Sequence, residues 1–163
     1  VLSRAWAYVG PIANQPQRTI IGHEAENPMM LTACEWLDVF IDQQRQVRRA
    51  DLKNGYWELD VAEEGEYEFE LRRWPRDSEL KLREGVDATP VTDGELVEGV
   101  ALDIFSARIQ IGDFKRSKKI PAEAKHATFT ARLPKGPARL YTWFEDSNRQ
   151  QVLGAYYVYV KRK

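Results

Sequence analysis

Apolar and polar residues alternate with a period of two over much of the chain from Tyr56 onward. Trp57, Leu59 and Val61 share one side of a segment and Glu58 and Asp60 the other. Tyr67, Phe69 and Leu71 oppose Glu66, Glu68 and Glu70 in the same way. A period of two places one face of a strand against a core and the other toward water. The intervening Ala62-Glu63-Glu64-Gly65, with its terminal Gly, predicts a hairpin between these two strands.

Ala107, Ile109 and Ile111 alternate with Arg108 and Gln110, and Phe129, Ala131 and Leu133 with Thr128, Thr130 and Arg132. Pro134-Lys135-Gly136-Pro137 is a turn. Arg139–Glu145 follows, with Leu140, Thr142 and Phe144 opposed to Tyr141 and Trp143. After a turn at Asp146-Ser147-Asn148, Gly154–Val160 carries large apolar groups on both faces, which predicts a central strand covered on both sides. The expected core is Trp57, Tyr67, Phe69, Leu71, Ile109, Ile111, Phe129 and Leu133, one face of each strand.

The remaining segments are less regular. Residues 76–99 are acidic and aperiodic, and read as a long excursion with one short strand near Leu80–Leu82. A loop of about 20 residues is unusual in a compact domain. Phe114–His126 reads as a basic loop around Pro121. In the first half, Arg4–Val9, Gln17–Ile21 and Val39–Ile41 are strand candidates, Gly10-Pro11 and Asn27-Pro28 are turns, Thr32–Trp36 is a short helical turn, and Asp42–Arg49 is helix or coil.

Six or more short strands joined by Gly and Pro turns predict an all-β fold. The expected form is an antiparallel β-sandwich of jelly-roll or galactose-binding-like type, with one or two short helices. No amphipathic crossover helices separate the later strands, which argues against βαβ units. At 163 residues the chain is one domain, 1–163, long enough to bury roughly 70% of its unfolded surface without disulfides or metal. Net charge is −1, from 24 Lys plus Arg against 25 Asp plus Glu. No general field attracts a nucleic acid backbone, and no nucleic-acid partner is expected. Apolar runs fall short of the ~20 residues of a membrane span.

Candidate chemistry is thin. There is no nucleophile elbow, Walker loop, dinucleotide turn or His-Glu-x-x-His. Cys34 is the sole cysteine, and among Thr32, Ala33 and Trp36 it reads as a small buried thiol rather than the partner of His23 or His126. The Glu rows read as solvated faces paired with Arg. Asp87, Asp93, Glu95 and Glu98 are candidate calcium ligands, without a diagnostic spacing. The densest positive charge is Lys115, Arg116, Lys118 and Lys119, within five residues. It is a candidate contact for a sulfated or carboxylated glycan; the bland reading is a solvated loop balancing the acidic excursion. The five Trp are expected to be mostly core or partner-facing.

Three stretches taken together carry a family pattern: Arg18–Trp36, with Asn27-Pro28, Leu31-Thr32 and Trp36; Asn54–Pro75, with Gly65-Glu66-Tyr67 and Leu71-Arg72-Arg73-Trp74-Pro75; and Gly154–Val160. They resemble the C-terminal region of bacterial arylsulfatase-like proteins of the formylglycine-dependent sulfatase family, over roughly residues 4–162. The family's Cys/Ser-x-Pro-x-Arg motif is missing, since Cys34 is followed by Glu35, Trp36, Leu37 and Asp38. The resemblance therefore implies a non-catalytic accessory module, C-terminal to a catalytic domain that these residues do not include. That the chain begins with Val, not Met, agrees with a fragment of a longer protein. Sulfate-ester hydrolysis, formylglycine and calcium would belong to the parent's catalytic domain, and the module itself is expected to carry no cofactor and no activity on aryl sulfates. Its implied partner is that catalytic domain, docked against it; the alternative is a carbohydrate-binding module. The family resemblance also implies a periplasmic or extracellular setting. An exposed line of aromatic rings would favour sugar binding, and a flat apolar patch would favour docking.

Overall fold

The alternating segments become strands in the computed structural model, which describes residue 13 and residues 15–163. The strand candidate Arg4–Val9 and the turn at Gly10-Pro11 lie outside the described residues. The described residues form twelve strands: β1 (Thr19–Ile21), β2 (Met29–Thr32), β3 (Trp57–Val61), β4 (Gly65–Arg72), β5 (Thr89–Val91), β6 (Gly94–Leu96), β7 (Ser106–Ile111), β8 (Phe114–Lys119), β9 (Ala127–Leu133), β10 (Gly136–Glu145), β11 (Gln151–Leu153) and β12 (Tyr157–Arg162). A short helix, α1 (Gln44–Arg49), and 3-10 turns at Ala33–Glu35 and Arg76–Ser78 lie between the strands. None of the described helices is long and apolar enough to cross a membrane.

The strands form an all-β sandwich. Sheet A runs β1-β3-β10-β7-β8, with β11 paired to the end of β10, and sheet B runs β2-β12-β4-β9. All pairs are antiparallel except β1 with β3, which is parallel. Their inner faces meet in a core that holds every residue of the expected set. Trp57, Ile109 and Ile111 come from sheet A and Tyr67, Phe69, Leu71, Phe129 and Leu133 from sheet B. The Trp57 indole Nε1 donates to the Thr32 carbonyl at 2.9 Å, tying β3 to sheet B. Gly22, at φ 76°, lies where a Cβ would fall 2.1 Å from the Tyr67 hydroxyl, so the chain passes over that buried ring only as Gly.

Several expectations are corrected. Ala62–Gly65 does not close a hairpin: β3 lies in sheet A and β4 in sheet B, so the turn carries the chain from one layer to the other. The Pro134–Pro137 turn does the same between β9 and β10. Phe114–Lys119 is not a loop but the edge strand β8, paired with β7 through a Gly112-Asp113 turn in which Gly112 has φ 53°. Lysines on an edge strand discourage further pairing. Leu80–Leu82 is not a strand; Leu82 is a buried anchor, and the excursion forms the β5–β6 hairpin instead. Val39–Ile41 is not a strand either, and β2 went unread. The final strand begins at Tyr157, between β2 and β4. Its inner face is fully buried, whereas Tyr157 and Tyr159 on its outer face are only half-buried.

Buried arginines organise the acidic excursion. Arg73, which has no solvent exposure, donates to the carbonyls of Glu84 and Val100, and the Trp74 indole shares the Glu84 carbonyl. Arg48 on α1 donates to the carbonyls of Asp87 and Val97. These charges bond to backbone oxygen rather than carboxylates, and burial pushes the Arg73 guanidinium down to about 10.

Candidate functional site

The pleat of β10 decides which side chains leave the core. Leu140, Thr142 and Phe144 point inward and are buried. Arg139, Tyr141, Trp143 and Glu145 therefore point outward. In register beside them lie Glu58 on β3, opposite Arg139, and Gln110, Arg108 and Ser106 on β7, opposite Tyr141, Trp143 and Glu145. On β8, Lys115, Ser117 and Lys119 face Gln110, Arg108 and Ser106. The outer face of sheet A is thus a grid of four strands, β3, β10, β7 and β8, whose rings, cations and hydroxyls are set by register.

A row of aromatic rings crosses this grid. Tyr56 and Tyr141 have centroids 5.3 Å apart, and Tyr141 and Trp143 are 5.7 Å apart with planes within 10° of parallel. Guanidinium groups bracket the row, Arg139 at 4.3 Å from the Tyr56 centroid and Arg108 at 3.9 Å from that of Trp143. Arg139 Nε donates to Glu58 Oε1 at 2.8 Å, and its hydrogen bonds to Glu58 and Tyr141 hold its pKa above the usual value. Open depressions flank the row. One, of about 430 Å³, is lined by Glu58, Gln110, Arg139 and Tyr141. The other, of about 570 Å³, is lined by Ser106, Arg108, Ser117, Lys119, Glu145 and Arg149. Rings beside hydrogen-bonding groups suit a ligand that has both C–H faces and hydroxyls.

The candidate cluster Lys115, Arg116, Lys118 and Lys119 is divided by the strand that carries it. Lys115 and Lys119 join the outer grid. Arg116 and Lys118 are in register with the inward-facing Ile109 and Ala107, so they line the edge of the sandwich instead. Lys118 Nζ donates to the Thr128 carbonyl on β9 and lies 5.0 Å from the Phe129 centroid, closing the gap between the two sheets.

Other candidates fall apart. Cys34 is exposed, not buried, with Sγ 2.7 Å from Thr32 Oγ1, because the 3-10 turn swings it outward. His23 accepts a hydrogen bond from the Ala25 amide, and His126 faces Arg72 on sheet B, so neither histidine contacts the thiol. Asp87 serves Arg48 through its carbonyl. Among the described residues no three His, Cys, Asp or Glu side chains form a group able to hold a metal ion. Both Arg72 and Arg73 are buried. Trp36, Trp57 and Trp74 are core residues, whereas Trp143 is half-buried on the outer face and Trp6 lies outside the described residues. The signal for the row was in the sequence: Tyr141 and Trp143 occupy the alternate positions where a solvent-facing strand carries polar groups. Tyr56 joins them only through pairing across strands.

No protein-family model matches the chain, and no curated protein matches it. Among solved structures, the chain is similar to one described as a ruminal GH26 endo-beta-1,4-mannanase, with a TM-score of 0.44 and 12% sequence identity. The match covers 83% of this chain and 26% of that protein, so the chain spans about a quarter of its length.

Proposed function

We propose that this chain is a non-catalytic accessory module that binds carbohydrate on the outer face of sheet A. The row Tyr56–Tyr141–Trp143, flanked by Glu58, Gln110 and Arg139, carries the reading: it offers aromatic surface and hydrogen-bonding groups side by side. A pyranose has the matching character, apolar C–H faces and hydroxyls at its rim. In the setting implied by the sulfatase resemblance, the module holds a secreted sulfate-ester hydrolase on its saccharide substrate. A second reading, docking against that enzyme's catalytic domain, is favoured by a separate observation. Phe40 and Leu52 are 54% and 78% exposed in the segment around α1, and the two roles are compatible.

Affinity electrophoresis through gels containing soluble polysaccharides, followed by titration calorimetry, tests the binding. Trp143→Ala is expected to weaken binding about tenfold, the worth of one ring contact. Met30→Ala, at an exposed position on sheet B, should leave it unchanged. Retardation that is indifferent to Trp143→Ala would remove the row from the account.

A further inference from the structure

The two depressions at the ends of the aromatic row differ in charge. At the Tyr56 end, Glu58 and Arg139 form an ion pair and neutralise each other. At the Trp143 end, Arg108, Lys119 and Arg149 line the depression against the single carboxylate of Glu145, while Lys118 at its rim is turned to the Thr128 carbonyl. That carboxylate is already engaged. It is buried, receives the Ser106 hydroxyl at 3.0 Å on Oε2, and holds Arg108 Nε at 3.0 Å from Oε1. The Arg108 guanidinium is thus fixed from two sides, by Glu145 and by the Trp143 ring at 3.9 Å. Its other nitrogens have no hydrogen-bond acceptor among the described residues. Lys119 and Arg149 have no acidic partner among the described residues either.

We propose that the depression beside Trp143 is an oxyanion subsite, so that the module selects saccharides bearing sulfate or carboxylate groups over neutral ones. The inference rests on the reading of the aromatic row as a sugar platform. Register supplies its geometry. Ser106 pairs with Lys119 and Arg108 with Ser117, so the outward guanidinium, ammonium and hydroxyl groups stand in adjacent cross-strand rows next to Trp143. A sulfate or carboxylate presents several acceptor oxygens at once. A guanidinium fork with an ammonium beside it meets them with charge-assisted bonds. The chain's net charge of −1 supplies no general attraction, so the selectivity is local. The buried Glu145 acts as a positioning residue here: it costs one unit of positive charge but holds Arg108 pointed across the ring. The subsite replaces the linear cluster expected at Lys115–Lys119, retaining Lys119 and adding Arg108 and Arg149.

The test uses the whole chain and three polymers: a neutral galactan, a sulfated galactan and a polygalacturonate. The wild type is expected to bind an anionic polymer about tenfold more tightly than the neutral one, the worth of two exposed charge contacts. The sulfated and uronate polymers separate the two sources of the oxyanion. Lys119→Ala/Arg149→Ala, both at exposed positions, should erase the preference while leaving neutral binding intact. Raising salt until the Debye length falls to about 3 Å should erase it as well. Equal binding of neutral and anionic polymers, with Trp143→Ala still harmful, would overturn the subsite and leave the platform standing. Anionic binding untouched by Trp143→Ala would overturn the platform, and the subsite built on it. Retention of none of the three polymers would overturn both.

Discussion

The outer faces of the two sheets are made by the same alternation of residues and finish in opposite states. On sheet B most of the polar groups are engaged with one another, although one Arg72 nitrogen, Nη1, is buried without a partner among the described residues. Glu70 accepts from Arg72 and Arg76, Arg76 covers the Tyr159 ring at 4.0 Å, and Glu68 pairs with Lys163. Asn27 both donates to and accepts from the backbone of Arg162. On sheet A, among the described residues, only Glu58–Arg139 and Glu145–Arg108 are paired, and the rings between them keep part of their surface in water. Two faces of similar composition thus differ in what remains free to meet a ligand. Charge near a surface carries no functional meaning until its partners are known.

Breaking the sheet B network should give the largest effect. Glu70→Ala leaves Arg72, 4% exposed, without its carboxylate, and should cost about 3 kcal/mol of stability in urea unfolding. Polysaccharide binding should be unaffected, because the network serves the fold alone. A loss of binding at unchanged stability would reverse the roles assigned to the two faces.

Acid should expose the same difference by a smaller margin. Burial, aided by Arg72, Arg76 and Lys118 and opposed by Glu70, holds the His126 imidazole below its ordinary 6.5. Burial pushes the Glu70 carboxyl up, but hydrogen bonds from Arg76 and Arg72 outweigh it and hold the group below 4.5. Each group binds more protons unfolded than folded within its own window, so stability falls as pH falls. It should be complete above about 6.5, decline first through His126, and decline again below 4.5 through Glu70. Urea midpoints measured from about pH 8 to pH 4 check this, and His126→Gln should flatten the upper step. Stability that rises on acidification would contradict the signs. The smallest effect is expected at Arg132–Glu64, a pair with 80% and 63% side-chain exposure, where Arg132→Ala should change stability by less than about 1 kcal/mol.

Period-two alternation was sufficient to read β3, β4, β7, β9 and β10 and the face each buries, because a half-buried strand must alternate. It failed at β8, where five of six residues are exposed and no inward apolar series exists to be seen. It could not distinguish a hairpin from a crossing between layers, since Ala62–Gly65 and Pro134–Pro137 use the turn chemistry of either. The excursion was opaque for another reason: its order comes from Arg48 and Arg73 binding carbonyls, which every residue has. At the candidate site, the rings and cations were visible as residues, but their assembly depends on strand register. Register split the cluster at Lys115–Lys119 and brought Arg108 and Arg149 to Lys119 from elsewhere in the chain.

The place of β12 in the middle of sheet B bears on how the molecule is made. β2 and β4 are not paired with each other; both pair with Tyr157–Arg162, the last of the described strands to leave the ribosome. Until those residues arrive, among the described residues β4 has only β9 beside it and β2 has no strand partner. Chain closure over more than a hundred residues precedes the contacts that reward it, which is the condition for slow folding and high contact order. Sheet A is also held open on its inner side during that interval, with Trp57, Ile109 and Leu140 waiting for cover. An incomplete chain lacking those residues is therefore expected to expose that surface and to be prone to association.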